Sequence, residues 1–377
     1  MGFGTRIAVY AAALTLTAGL AHAQVNKNGD TVAVATNGKA KIDYENAKPF
    51  KLPRSNAAPV SQAALLADGA SVKFPGAPGF EKGAEGDGKE TPKKLPVSKA
   101  LAEEEDGVAP QEYGTNKHPY TTSLSQFYSQ GYYRPAGKLF FKDGSSSFVC
   151  SASLIKRGLV VTAAHCVSSF GARRFYTGFQ FVPAYNKGTA PFGVWTSVQA
   201  RVMTSYFNGT DSCAVSGVVC ANDVAVIVLA AQSGAYAGAR AGYYGYGYNG
   251  YSYVNGQAAI TQLGYPVALN GGLEQIRTDS QGSVSASNSN NTIIGSLQTG
   301  GSSGGPWLVN FGLTPTLTAP TGFGSAGRHN IVVGATSWGY TDTSASGPKE
   351  QGASPFTSAN IVSLVNAACA DFPAACQ

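Results

Sequence analysis

Charge is scarce in this chain: 13% of its 377 residues are Asp, Glu, Lys or Arg, and the net balance of +6 is spread thinly. No dense Lys/Arg stripe runs along it, so the electrostatic footprint of a nucleic-acid partner is missing. Long apolar runs are absent after residue 20, which excludes a later bilayer-spanning segment and any lasting membrane partner. Cysteine is absent before residue 150, and Cys and His never gather at ligand spacing, so neither a metal site nor a cofactor is expected. Histidine itself is rare, with four in all. Chemistry that needs an imidazole has few places to find one.

What is present divides by position. Residues 1–6 end in Arg6, residues 7–20 are apolar, and Ala21-His22-Ala23 offers a small-x-small cleavage site. This reads as a secretory signal peptide over residues 1–23. An export signal followed by an even number of cysteines, six, implies an oxidising destination, extracellular or periplasmic, and disulfides. Residues 24–114 are rich in Lys, Pro, Gly, Ala and acidic residues and poor in aromatics, and they build no obvious core. They read as a poorly structured pro-segment that aids folding or masks a cleft, or as a plain spacer. Short apolar pieces such as residues 63–66 have the composition for a little structure.

Near Tyr113 the texture changes to Ser, Thr, Tyr, Gly and β-branched residues with frequent turns, the pattern of an all-β domain over residues 115–377. Strands are expected over residues 139–141, 147–155, 159–163, 194–203, 224–229, 258–263, 292–297, 306–309 and 331–337. The tyrosine-rich stretch 243–253 has two readings, a carbohydrate-binding platform or packing against a barrel. Only residues 358–371 have helical spacing, with Ile361, Leu364, Val365 and Ala368 on one face.

Three stretches carry chemistry. Thr299-Gly-Gly-Ser-Ser-Gly-Gly-Pro-Trp307 sets glycines around two serines, which frees the backbone to expose a nucleophile, Ser303, and to aim the Gly301 and Ser303 amides at one point as an oxyanion hole. A plain Gly/Ser loop is the rival reading, and a serine hydroxyl is inert without a base. His165 supplies that base, because it follows an apolar strand and stands beside Cys166. A Cys150–Cys166 bridge would pin the strand to the turn that carries the imidazole. Asp223 heads the apolar run 224–229, and a buried aspartate needs a partner such as an imidazole N–H. The remaining cysteines pair most simply as Cys213 with Cys220 and Cys369 with Cys376, on the shortness of those loops.

Taken together, Thr162-Ala-Ala-His-Cys166, Asn222-Asp-Val-Ala225, Gly301-Ser-Ser-Gly-Gly-Pro306 and Thr336-Ser-Trp-Gly339 resemble, in this order, the motifs of the chymotrypsin-like (trypsin-like) serine peptidases. The resemblance implies two six-stranded antiparallel β-barrels with the site between them, a C-terminal helix, and a secreted serine endopeptidase cutting protein or peptide substrates. It implies a zymogen and an acyl-enzyme intermediate, with Ser303 as nucleophile, His165 as general base and Asp223 as the carboxylate orienting the ring. Ser337, Trp338 and Gly339 resemble the strand that receives substrate backbone. A monomer is expected. The alternative is a catalytically silent homologue that binds protein or glycan.

Within the family, Gly242-Tyr-Tyr-Gly-Tyr246 and Ile260-Thr-Gln-Leu-Gly-Tyr-Pro266 look most like the bacterial glutamyl endopeptidase branch. Departures accompany the likeness. Ser302 stands where many relatives have an aspartate that binds the ammonium freed on activation. Ala335 and Thr336 stand where glutamyl endopeptidases place a histidine. Leu297 occupies the base of the specificity pocket with Gln298 beside it, which points to an uncharged side chain at the cut site.

Overall fold

The computed structural model describes residues 25–36, 40–56, 61–69, 71–97, 118–124, 128, 131–312, 328–340 and 349–377. The expected signal peptide lies outside the described residues. Two closed antiparallel barrels organise the chain. The first is built from β1 (Ala136–Asp143), β2 (Ser146–Leu154), β3 (Leu159–Thr162), β4 (Thr177–Pro183), β5 (Trp195–Met203) and β6 (Ala225–Leu229), in the order β5-β4-β1-β2-β3-β6, with β6 returning to β5. The second uses β7 (Gln257–Gly264), β8 (Ile276–Ser285), β9 (Asn291–Gly295), β10 (Pro306–Val309), β11 (Ile331–Tyr340) and β12 (Glu350–Ala353), in the order β10-β7-β8-β9-β12-β11, with β11 returning to β10. Closure leaves each barrel only short stretches of open strand edge.

Every residue of β3 and β6 is buried, because their outer faces are covered as well as their inner ones. The C-terminal helix (Ser363–Asp371) supplies part of that cover. Leu364, Val365 and Ala368 pack into the same apolar cluster as Val226, Ile227 and Val228, as the helical spacing predicts. A capping box opens the preceding turn: Thr357 Oγ1 accepts from the Asn360 amide, and Asn360 Oδ1 accepts from the Thr357 amide. The three disulfides are Cys150–Cys166, Cys213–Cys220 and Cys369–Cys376, as the spacing suggests.

Three barrel strands lie outside the regions expected to be extended: Thr177–Pro183, Ile276–Ser285 and Glu350–Ala353. The first contains Gly and Pro, and the other two are largely polar. In the tyrosine-rich stretch, Tyr244, Tyr246 and Tyr251 are buried, and Tyr244 Oη donates to the Tyr132 carbonyl at 2.7 Å. These rings pack and do not form an exposed platform.

The described residues between 25 and 97 are irregular for most of their length, and their buried apolar side chains, such as Val32, Ile42, Leu65 and Leu95, join clusters with the barrels. Their few strands are short and lean on the barrels. Thr31–Ala35 extends β5 antiparallel, Lys48–Pro49 runs parallel to β2, and Arg54–Ser55 runs parallel to β11. Gly79–Glu81 pairs with Gly245–Tyr248, and Lys93–Lys94 with Thr189–Ala190. The helix Gln62–Gly69 covers the apolar piece 63–66, and Asp68 accepts from the Ser285 and Ser287 hydroxyls at the end of the second barrel. Main-chain pairing on a preformed edge compensates for the weak hydrophobicity of this segment.

Candidate active site

Pairing of β3 with β6 sets the first half of the site. Thr162 lies opposite Ala225, so the turn after β3 and the loop before β6 meet at one end of the barrel. That turn, the 3₁₀ segment Ala164–Cys166, carries His165, and the Cys150 bridge ties it to β2. Asp223 Oδ1 accepts from the His165 amide at 2.8 Å, and Oδ2 accepts from His165 Nδ1 at 2.8 Å and from Ser337 Oγ at 2.5 Å. Both residues are buried, and three donors offset the cost of an enclosed carboxylate. A carboxylate only accepts, so the Nδ1 proton stays on the ring and Nε2 is left as the acceptor.

Support for Asp223 also comes from bonds that the sequence did not reveal. Its amide donates to Ser354 Oγ at 3.1 Å. The neighbouring Asn222 is held by Asp211, which accepts from the Asn222 amide and side chain, both at 2.7 Å. Burial pushes the Asp211 carboxyl above its ordinary range, and the Asn222 hydrogen bonds oppose that shift. Tyr206 is likewise raised well above the usual phenol value, first by burial and then by the charge of Asp223.

The second half is the loop 299–305. Ser302 closes it locally, its amide and its hydroxyl both donating to the Thr299 carbonyl, at 3.1 and 2.7 Å. Gly305 N bonds Ser302 O, and Gly304 N bonds Thr336 O. Ser151 staples the loop to the first barrel: its amide donates to Ser303 O at 2.7 Å and its hydroxyl to Gly301 O at 2.9 Å. Two glycines here are obligatory. Gly301 has φ +94°, and a Cβ there would lie 2.5 Å from Tyr265 O; Gly304 has φ +78°, and a Cβ would lie 1.9 Å from Thr162 Oγ1.

Gly304 therefore presses the serine loop against the end of β3, just before the His165 turn. This contact sets the serine loop beside the turn that carries His165. Ser303 is fully buried, and neither its Oγ nor His165 Nε2 has a hydrogen-bond partner among the described residues. The Gly301 amide donates to the Phe50 carbonyl at 3.3 Å.

The expected substrate-contacting residues fall into two groups. Gly339 is buried with its amide donating to Pro53 O at 2.9 Å, and Trp338 is buried with Nε1 on Asn291 Oδ1 at 2.8 Å. Leu297 is half-buried against Leu269 and Ile276. Gln298 is buried, its Nε2 donating to Thr278 Oγ1 at 3.2 Å and its carbonyl accepting from Gln351 Nε2 at 2.5 Å. Two His/Cys/Asp groupings, Cys150-His165-Cys166 and Asp211-Cys213-Cys220, are compact enough to suggest a metal. Their cysteines are bridged, however, and offer no thiolate.

Residues 129–360 match the family model for trypsin, more than half of the chain, and the chain belongs to the trypsin family. It is thus a serine endopeptidase with the two-barrel fold, acting on peptide bonds. Among solved structures it is similar to a thermostable serine protease, AL20, from an extremophilic microorganism, at 25% identity over 60% of this chain and 93% of that one, TM-score 0.47. The protease Anisep from Arthrobacter nicotinovorans is 26% identical over 63% of this chain and 96% of that one, TM-score 0.49. A Glu endopeptidase is 19% identical over 70% of this chain and all of that one, TM-score 0.47. No curated protein matches the chain.

Proposed function

We propose that this peptidase is made with a signal peptide over residues 1–23 and a pro-segment over 24–114, is secreted, and cuts peptide bonds with Ser303, His165 and Asp223. Ser303 Oγ attacks the scissile carbonyl, His165 Nε2 takes its proton, and the tetrahedral oxyanion rests on the Gly301 and Ser303 amides. The imidazolium then protonates the leaving amine. Water, deprotonated by the same nitrogen, attacks the acyl carbon, and that proton passes to Ser303 Oγ as its bond to the acyl group breaks. Asp223 holds the ring tautomer and stabilises its charge. The observation that carries this reading is the carboxylate of Asp223 gripping both the amide and Nδ1 of His165, which commits Nε2 to the only proton traffic left to it. Three disulfides accord with an oxidising destination.

At the cut site we propose an uncharged side chain, since Leu297 and the hydrogen-bonded Gln298 bring no charge to the expected pocket base. An activity-based test separates the enzyme from a silent binding homologue. A fluorophosphonate probe should label Ser303 in processed, disulfide-intact protein and leave Ser303→Ala unlabelled. No labelling of the processed protein would favour the binding module. Ester turnover without any peptide turnover would make the chain an esterase.

A further inference from the structure

We propose that residues 48–55 are a built-in inhibitor: in the uncut chain they occupy the cleft, so the first partner this cleft holds is the chain's own N-terminal segment. The inference rests on the reading of the Ser303 loop and Gly339 as the substrate site. Lys48–Pro49 joins β2 beside Phe148 and Val149, and Arg54–Ser55 joins β11 beside Gly339 and Tyr340. Two two-residue strands, joined by residues 50–53, thus bridge the two barrels across the serine loop. Between them, Phe50 N donates to Val149 O, Phe50 O accepts from the Gly301 amide, and Pro53 O accepts from the Gly339 amide. The two amides expected to hold an oxyanion and a substrate backbone are therefore each engaged by this segment.

Phe50 is the anchor. Its ring lies over the His165 imidazole at 6.1 Å and 19°, and meets Phe141, Phe148 and Tyr176 edge-on at 5.3 to 5.6 Å. Aromatic residues set into such pockets carry a large share of interface energy. Pro49 and Pro53 flank it and fix φ near the extended range, so little conformational freedom is lost on binding. This explains how an active centre can be fully enclosed, with Ser303 wholly buried and His165 6% exposed.

Occlusion also fits the loop chemistry. Ser302 closes the loop through Thr299 without an ion pair, and the Gly301 amide already bonds the Phe50 carbonyl in the full-length chain. A site assembled before any cut has to be silenced by an occupant. Cleavage between residues 98 and 117 would leave the segment bound through non-covalent contacts alone, its strand pairing and the Phe50 ring. It would turn an intramolecular inhibitor into a bimolecular one that leaves on dilution.

Amide hydrogen exchange in the full-length Ser303→Ala protein tests this without relying on catalysis. The Gly301 and Gly339 amides should exchange at least about tenfold more slowly than in the same protein carrying Phe50→Ala, or in one cut at a site engineered within 98–117 and freed of its segment. Equal exchange in all three overturns the proposal, whatever Ser303 does. In proteins that keep Ser303, uncut wild type should react with a fluorophosphonate about 30-fold more slowly than uncut Phe50→Ala. Protected amides with no labelling of either protein would uphold the occlusion and sink the nucleophile instead. A wild-type chain found cut at the Phe50–Lys51 bond would make the segment a substrate and overturn its role as inhibitor.

Discussion

The two barrels share a strand plan but not a filling. Inside the first, Leu139, Phe141, Phe179, Phe181, Val161 and Ile227 form part of one large apolar cluster. The second has a smaller apolar cluster around Trp307, Ile260, Ile294 and Ile331. Beside that cluster runs a chain of buried amides and hydroxyls. Gln262 Nε2 donates to Thr336 Oγ1 and to Gln351 Oε1, Ser296 Oγ donates to Gln262 Oε1, and Trp307 Nε1 donates to Thr336 Oγ1, all at 2.6 to 2.9 Å. The difference follows what each barrel carries. The first fixes His165 and Asp223 on a stiff apolar frame closed by a disulfide. The second must shape a glycine-rich loop and a pocket wall, and directional hydrogen bonds specify backbone position better than apolar contact does.

The contact where the barrels meet is the most sensitive place to break this arrangement. Gly304→Ala drives a methyl group into Thr162 Oγ1 and the Ser151 carbonyl. A displacement of about 1 Å at a reacting centre is enough for about a 10²-fold loss, so kcat should fall at least that far while the disulfides still form. Peptide turnover within fivefold of wild type would show that this contact does not set the alignment.

A pair of changes sharpens the contrast between the fillings. Leu139→Ala in the first barrel should cost about 2 to 5 kcal/mol by transfer and cavity terms. Gln262→Leu in the second adds apolar surface, yet it should cost about 2 to 3 kcal/mol because Ser296, Thr336 and Gln351 lose a buried partner. Urea midpoints decide this. A Gln262→Leu protein as stable as wild type would mean that the polar chain is dispensable.

How far the sequence could be read follows the same division. Five of the six strands of the first barrel, among them Leu159–Thr162 and Ala225–Leu229, stand out as extended stretches. In the second, Ile276–Ser285 and Glu350–Ala353 do not, because polar residues that fill the interior look like surface. Thr177–Pro183 was hidden by its Gly and Pro. His165, Asp223 and the serine loop were legible because each sits inside its own short motif. The bonds that Ser337, Ser354 and Asp211 make around Asp223 were not, since they join partners distant in the chain. Residues 48–55 read only as part of a poorly structured pro-segment or spacer, because their extended form comes from the edges they join and not from their own propensity.

A smaller effect tests the seam between the barrels. Lys138 on β1 is buried, donates from Nζ to Gly272 O at 2.7 Å and sits 4.7 Å from the Tyr185 ring centroid. Desolvation lowers its pKa from 10.5 to about 7. Between these values the unfolded chain keeps a proton that the folded chain has lost, so stability rises with pH across that window. Relative to Lys138→Met, wild type should gain up to about 2 kcal/mol from pH 7 to pH 9, read from denaturation midpoints. A pH-independent difference between the two would place a charge on the folded lysine throughout.

The central claim is that a carboxylate on the first barrel tunes an imidazole for a serine on the second, and Asp223→Asn tests it most directly. Steady-state peptide hydrolysis by the processed protein should fall about 10⁴-fold in kcat, the loss known for the same change in the best-studied triad of this kind, with unfolding still cooperative. A fall of less than tenfold would contradict the account, because some other group would then be holding His165.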